Sequence, residues 1–253
     1  MFNSDVTFIA AVRSITTYLV MGLYVLLAGA PAVLVAIVTA KPGPLFAVGL
    51  IGVRLGLALS GIRWKAAGTE HIQRGRAAVY AINHSSNVEP PIIFAALHEL
   101  LPRLRVLYKA ELRKLPILVR AFDVAGFVPL ERGNRDQSLP AIDTAARALE
   151  AGHSFLIFPE GTRSRTGELL PFKKGGFIMA LRARAPIVPV AIIGARDAMR
   201  KGSPWIYPVR VSVRFGAPLE TAGFTVDERD QLVQQVRARV AELIAEGPVD
   251  GGL

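Results

Sequence analysis

The chain has no cysteine, which excludes disulfides, thiolate metal sites and a cysteine nucleophile. It also lacks the Gly-x-Ser-x-Gly elbow of serine hydrolases, and neither a P-loop nor a dinucleotide glycine pattern occurs. Three of its histidines, His71, His98 and His153, are scattered without metal-ligand spacing. Charge is scarce at one end. Residues 1–62 carry only Asp5, Arg13, Lys41 and Arg54, so the other 46 of the 50 charged side chains fall in residues 63–253. The first part nets +2 (3 minus 1) and the second +8 (27 minus 19), an apolar leader ahead of a basic body.

The leader has no charge from Ser14 to Ala40. A membrane-spanning helix needs about 20 apolar residues at 1.5 Å rise each, so this run is long enough. Gly29-Ala30-Pro31 near its middle offers a kink or a reversal, and the stretch from Pro44 to Ile62 is again apolar apart from Arg54. One span, two spans or a helix pair sunk into one leaflet all fit. The uncharged region is too long for a signal peptide. A basic body can bind nucleic acid, anionic lipid surfaces or phosphorylated small molecules, and the leader argues for lipid and against nucleic acid. The expected organisation is a membrane-anchoring segment over residues 1–62 and an α/β domain over 63–253, with no internal repeat or low-complexity tract.

In the body, short apolar runs alternate with helical segments. Candidate strands are Ala78–Ile82, Leu104–Tyr108, Gly126–Leu130, Ser154–Phe158, Ile187–Ile193 and Val209–Phe215. Continuous runs such as Val188–Ile193 predict strands covered on both faces, whereas the alternation in Val209–Phe215 predicts an edge or half-exposed strand. A helix is expected from Ser138 to Ala151, admitting Pro140 in its first turn. The last helix is expected to open at the capping-box pattern Thr225-Val226-Asp227-Glu228, with Leu232, Val236, Val240 and Leu243 on one face. The alternation of strands and helices specifies an α/β layer fold.

Two loops hold residues suited to chemistry. Ala78–Ile82 runs into Asn83-His84-Ser85-Ser86-Asn87-Val88-Glu89-Pro90-Pro91. A carboxylate at Glu89 could accept from one ring nitrogen of His84, leaving the other to take a proton from an alcohol. The second loop, Phe158-Pro159-Glu160-Gly161-Thr162-Arg163-Ser164, follows an apolar strand. Gly161 permits a tight turn, Thr162 and Ser164 bring hydroxyls, and Arg163 can hold two phosphate oxygens. Glu160 is unsuited to an anion and is expected to position a basic side chain.

These blocks, in this order, resemble the glycerolipid acyltransferases, and among them the bacterial lysophosphatidate acyltransferases. Gly126-Phe127-Val128-Pro129-Leu130-Glu131-Arg132 is similar to that family's second block and Val188-Pro189-Val190-Ala191-Ile192 to its fourth, and Tyr108-Lys109-Ala110-Glu111-Leu112 looks like the lysine-bearing segment between the first two. The likeness runs from about Ile62 to Gly216. It implies a glycerolipid-acyltransferase-like sheet covered by helices, with His84 as general base and Glu89 holding it. The acceptor would be bound by Lys109, Arg132, Glu160, Gly161, Thr162 and Arg163. It further implies transfer of a fatty acyl group from acyl-CoA or an acyl carrier protein thioester to the sn-2 hydroxyl of lysophosphatidate, with no cofactor, at the cytoplasmic face of a bacterial inner membrane. Rival acceptors are another lysophospholipid, glycerol 3-phosphate or a lyso-aminolipid; a non-catalytic lipid-binding protein is the rival of a different class. Glu89 stands where the family usually has Asp. On sequence grounds Glu89→Asp should preserve or raise activity.

Overall fold

The computed structural model describes residues 4–114, 116–131 and 135–249. Helix α1 (Ser4–Tyr24) continues through a π-helical turn (Val25–Gly29) into α2 (Ala30–Thr39), so the Gly29–Pro31 region loosens the helix without reversing it. The reversal comes later: Ala40 takes a left-handed φ of 52°, and α3 (Gly43–Ser60) returns against α1 and α2. Phe8–Thr39 and Gly43–Ser60 are each long and apolar enough to cross a membrane, and only 17% and 22% of their most apolar windows are buried.

The body is a seven-stranded sheet in the order β1-β7-β6-β2-β5-β3-β4. Its strands are β1 (Arg63–Ala67), β2 (Val79–Ile82), β3 (Leu104–Lys109), β4 (Val128–Leu130), β5 (Ser154–Ile157), β6 (Ile187–Ile193) and β7 (Arg210–Phe215). Five central and flanking strands, from β6 to β4, run parallel, while β7 pairs antiparallel with β6 and parallel with β1. The helices are α4 (Glu89–Ala96), α5 (Pro116–Val124), α6 (Arg135–Glu150), α7 (Gly175–Arg182), α8 (Ala195–Ala198) and α9 (Arg229–Ala245).

Parallel strands need crossovers, and the helical crossovers cover both sheet faces, which is why β2 and β5 are apolar at nearly every position. Tyr80, Ile82 and Leu156 point to the face carrying Ile92 and Ile93 of α4. Val79, Ala81 and Phe155 point to the other, where α6, α7 and α9 bring Ala145, Phe177 and Val236. Full burial of one such aliphatic or aromatic side chain contributes roughly 1.5–3 kcal/mol.

Three sequence expectations change here. β7 is not an edge strand, because β1, Arg63-Trp64-Lys65-Ala66-Ala67, adds outside it; Val211 and Val213 are buried. Charged Arg63 and Lys65 make β1 itself the solvent-facing rim. The last helix begins at Arg229, since Glu228 Oε2 turns back to the Thr225 N–H and hydroxyl in the preceding turn. Helix α6 starts three residues before Ser138, so Pro140 sits in its second turn.

Candidate active site

Because β2, β5 and β3 are parallel neighbours, the loops leaving their C-terminal ends share one edge of the sheet. The pairings Val79↔Phe155 and Arg105↔Phe155, counted four residues onward, bring Asn83, Pro159 and Lys109 to one level. Adjacent strands lie ~4.8 Å apart, so Lys109 stands about 10 Å from the β2 exit.

Asn83 ends β2 by pairing with β6: its Nδ2 donates to the Ile192 carbonyl at 2.9 Å and its Oδ1 accepts the Ile192 N–H at 2.7 Å. This amide fixes the chain just before it turns to His84. The His84 ring nitrogen Nδ1 lies 2.7 Å from Glu89 Oε2. Glu89 is the first residue of α4 and fully buried, yet its carboxylate is not short of partners. The Ser85 N–H, Ser85 hydroxyl and Ser86 N–H donate to it at 2.9, 2.7 and 3.0 Å. Those donors fix the carboxylate as a hydrogen-bond acceptor, which makes Nδ1 the protonated nitrogen and leaves Nε2 its lone pair. Among the described residues nothing bonds Nε2. Phe158, the first residue of the second loop, packs against the imidazole with ring centroids 4.3 Å apart, a support that residue spacing alone does not reveal.

The extra methylene of Glu89 is thus absorbed by the turn at Ser85–Val88. The expectation for Glu89→Asp reverses with it: a shorter side chain would retract from four donors that are spaced for a longer one.

The second loop is tied to the first through main chain. The His84 N–H donates to Glu160 Oε1 at 2.6 Å, and the Ser164 N–H donates to the His84 carbonyl at 2.7 Å. Glu160 Oε2 accepts the Leu170 N–H at 3.0 Å. Glu160 is only 3% exposed and is therefore corrected from a substrate contact, or a brace for a basic side chain, to a clamp on two backbone amides. Burial raises its pKa, partly offset by those two N–H groups, while Glu89 nearby raises it further. Gly161 has φ +67°, which a side chain rarely adopts, and a Cβ there would meet Lys173 at 2.8 Å. Beyond it Thr162 is exposed and the Arg163 guanidinium has no partner among the described residues.

Of the remaining expected binding residues, Lys109 is at the same sheet edge but paired with Glu111 at 2.9 Å. Arg132 lies outside the described residues. Other basic side chains on β3 and the turns beside it are already engaged: Arg113 is held by Tyr108 and Asp123, Arg103 donates to the Arg74 carbonyl, and Arg105 is half-buried against Gly126. Val188 is buried in β6, and the carbonyl of Pro189 beside it accepts the Gly216 N–H, so both serve the sheet.

Next to the His84 loop lies an apolar cavity of about 1010 Å³, walled by Tyr18, Met21 and Tyr24 of the leader, Gly49, Gly52 and Gly56 of α3, and Asn87 and Val88. Tyr24 donates to the Val48 carbonyl at 2.7 Å and so holds the two leader helices apart at a set distance.

Comparison with known proteins gives a consistent picture. A family model described as Acyltransferase matches residues 63–193, a little over half the chain. A 1-acyl-sn-glycerol-3-phosphate acyltransferase of Limnanthes douglasii is 35% identical over 178 residues, covering 70% of this chain and 61% of the relative. A 1-acyl-sn-glycerol-3-phosphate acyltransferase alpha of Mus musculus is 30% identical over 196 residues, covering 76% and 67%. The chain spans about three fifths of the length of the plant relatives it matches. The 1-acyl-sn-glycerophosphate (LPA) acyltransferase PlsC of Thermotoga maritima, a crystal structure, superposes with a TM-score of 0.80 at 22% identity, covering 96% of this chain and 99% of its own, which establishes the shared fold. With the matched segment containing both loops and the sheet that aligns them, the chain belongs to the acyltransferase family.

Proposed function

We propose that this chain transfers a fatty acyl group from an acyl thioester to the sn-2 hydroxyl of lysophosphatidate, forming phosphatidate. The observation carrying this reading is the coupling of the two loops: an imidazole–carboxylate pair hydrogen-bonded, through His84 N–H and His84 carbonyl, to the Glu160–Ser164 turn. The relatives' shared description as 1-acyl-sn-glycerol-3-phosphate acyltransferases supports the acceptor.

In the mechanism, Nε2 of His84 takes the acceptor hydroxyl proton as that oxygen attacks the thioester carbonyl. The C–S bond then breaks, and the imidazolium returns the proton to the departing thiolate. Glu89 keeps the ring in the tautomer needed and stabilises the imidazolium. General base catalysis of this kind contributes roughly 10²–10⁴-fold. Arg163, with the exposed Thr162 hydroxyl, would grip the phosphate and hold the hydroxyl near Nε2, and Lys109 and Arg132 would add positive charge from the neighbouring strands. The Gly161 turn keeps backbone close enough for this grip. No acyl-enzyme is needed, although Ser85 is near: its hydroxyl already donates to Glu89. The apolar cavity beside Val88 suits a fatty chain.

Residues 1–62 would anchor the protein in the membrane and 63–253 would carry catalysis. Apolar side chains on the outside of the leader, such as Leu19, Leu26 and Val38 at 69%, 64% and 76% exposure, support that division. A two-chain product leaves lipid for water at a cost of about 0.8 kcal/mol per CH₂, so an anchored enzyme avoids extraction. The cytoplasmic face of a bacterial inner membrane and a donor carried on coenzyme A or acyl carrier protein complete the proposal.

The test is an acceptor panel (lysophosphatidate, lysophosphatidylcholine, glycerol 3-phosphate and a neutral monoacylglycerol) with one labelled acyl thioester. Preferred acylation of lysophosphatidate is expected. Indifference to the phosphate would refute the acceptor assignment.

A further inference from the structure

Residues 199–208, between α8 and β7, form a strap with ties in three directions. Ser86 donates its hydroxyl to the Met199 carbonyl at 2.8 Å, so the strap braces the loop that carries His84 and Glu89. Ser14 of α1 accepts the Ile206 N–H at 2.8 Å, and the Tyr18 hydroxyl donates to the Pro204 carbonyl at 2.5 Å, fastening it to the leader. Between these ties stands Lys201. Its Nζ donates to Thr162 Oγ1 at 3.0 Å and to the Arg163 carbonyl at 2.9 Å.

We infer that Lys201 is a further residue of the acceptor site, positioning the Thr162–Arg163 turn for an anionic group. The inference rests on the proposed phosphate-bearing acceptor and adds a residue beyond both sequence blocks. Two points of chemistry carry it. An ammonium has three N–H donors, and two are used on the turn while the third has no acceptor among the described residues. A hydroxyl that accepts from Lys201 has its own hydrogen turned away from that ammonium, so Thr162 is set to donate outward, as an anion requires. The strap supplies the rigidity, since its two ends are fixed on α1 and on the His84 loop, and a positioned cation loses less entropy on binding than a free one.

The experiment compares full-length wild type, Lys201→Met and Lys201→Arg in lipid vesicles, reading kcat, the KM for lysophosphatidate, the KM for the acyl thioester and the melting temperature. Lys201→Met is expected to raise the lysophosphatidate KM by about 10- to 100-fold, the scale of a lost charge-assisted hydrogen bond. Its kcat should stay within about threefold, with the thioester KM and the melting temperature unchanged. Lys201→Arg should recover most of the loss, since a guanidinium can reach the same two oxygens. A lysophosphatidate KM within twofold of wild type overturns the inference, as does a loss confined to kcat or accompanied by a fall in melting temperature. Those results leave the phosphate-bearing acceptor standing if wild type still prefers it. Wild type without that preference overturns both.

Discussion

Leu26 in the leader and Leu156 in the body are the same side chain under opposite conditions: one is 64% exposed, the other 3%. Around Leu26 the neighbouring exposed residues are Val25 and Leu27, and no charge interrupts the surface. Around Leu156 two layers of helices exclude water from a sheet. In water the first arrangement is unfavourable by ~25 cal/mol per Å² of apolar surface, and in lipid it is not. With the leader in lipid, as proposed, one polypeptide follows two solvents' rules, and the two loops of the candidate site sit where they meet: Val88 belongs both to the body's core and to the wall of the cavity shared with the leader.

If the division of labour is right, the largest effect comes from the body. His84→Ala is expected to lower turnover at least a hundredfold with acceptor binding retained, measured by steady-state kinetics and by vesicle-based acceptor binding. Next, Glu89→Gln should cost on the order of 10²-fold in kcat, since an amide presents an N–H where the carboxylate now accepts. Glu89→Asp should cost ~10-fold through retraction from His84. An aspartate variant as fast as wild type would show that the four donors around Glu89 adapt to a shorter side chain. Leader substitutions should leave kcat alone. Leu26→Lys puts a charge into the outer apolar face, worth about 2.5–3.5 kcal/mol at a helix centre. Vesicle flotation should then show less bound protein, while the body's melting temperature holds.

Smaller effects probe the seam. A Cβ on Gly52 would lie 2.7 Å from the Tyr24 ring, so Gly52→Leu must displace that ring and narrow the cavity. Donor competition assays should show preference shifting toward shorter acyl chains by several-fold. In the body, Glu160→Gln sets an amide NH₂ against one of the N–H groups of His84 or Leu170, costing ~1–3 kcal/mol of stability by denaturant titration. The pH dependence runs opposite to that of an ion-paired carboxylate. Burial raises the folded pKa of Glu160 above its ordinary 4.5, so its contribution is fully present below that value and is lost as pH rises through the raised one. Wild type should show this decline and Glu160→Gln should lack it.

How far the sequence reveals these features depends on whether the cause is local. Six of the seven strands in the described residues are legible, five as largely apolar runs flanked by turn residues and Val209–Phe215 by its alternation. The seventh, Arg63–Ala67, escaped because its charged, alternating residues look like loop until its neighbour β7 is known. The His84–Glu89 pair was readable from spacing, since both residues belong to one turn and the next helix. Glu160 was misread because its partners are the backbone amides of His84 and Leu170, and amides leave no trace in residue identity. Lys201 was missed for a similar reason: it meets Thr162 from 39 residues away through a strap whose course only the fold defines.

The central claim is that the carboxylate works through the imidazole as one base. The most direct measurement is a double-mutant cycle on kcat for His84→Ala and Glu89→Gln, with lysophosphatidate and a labelled acyl thioester. Once the imidazole is gone, removing the carboxylate should cost little more, so the double variant should match His84→Ala within about threefold. Losses that multiply would mean that Glu89 serves the reaction by some other route, and the paired base would have to be abandoned.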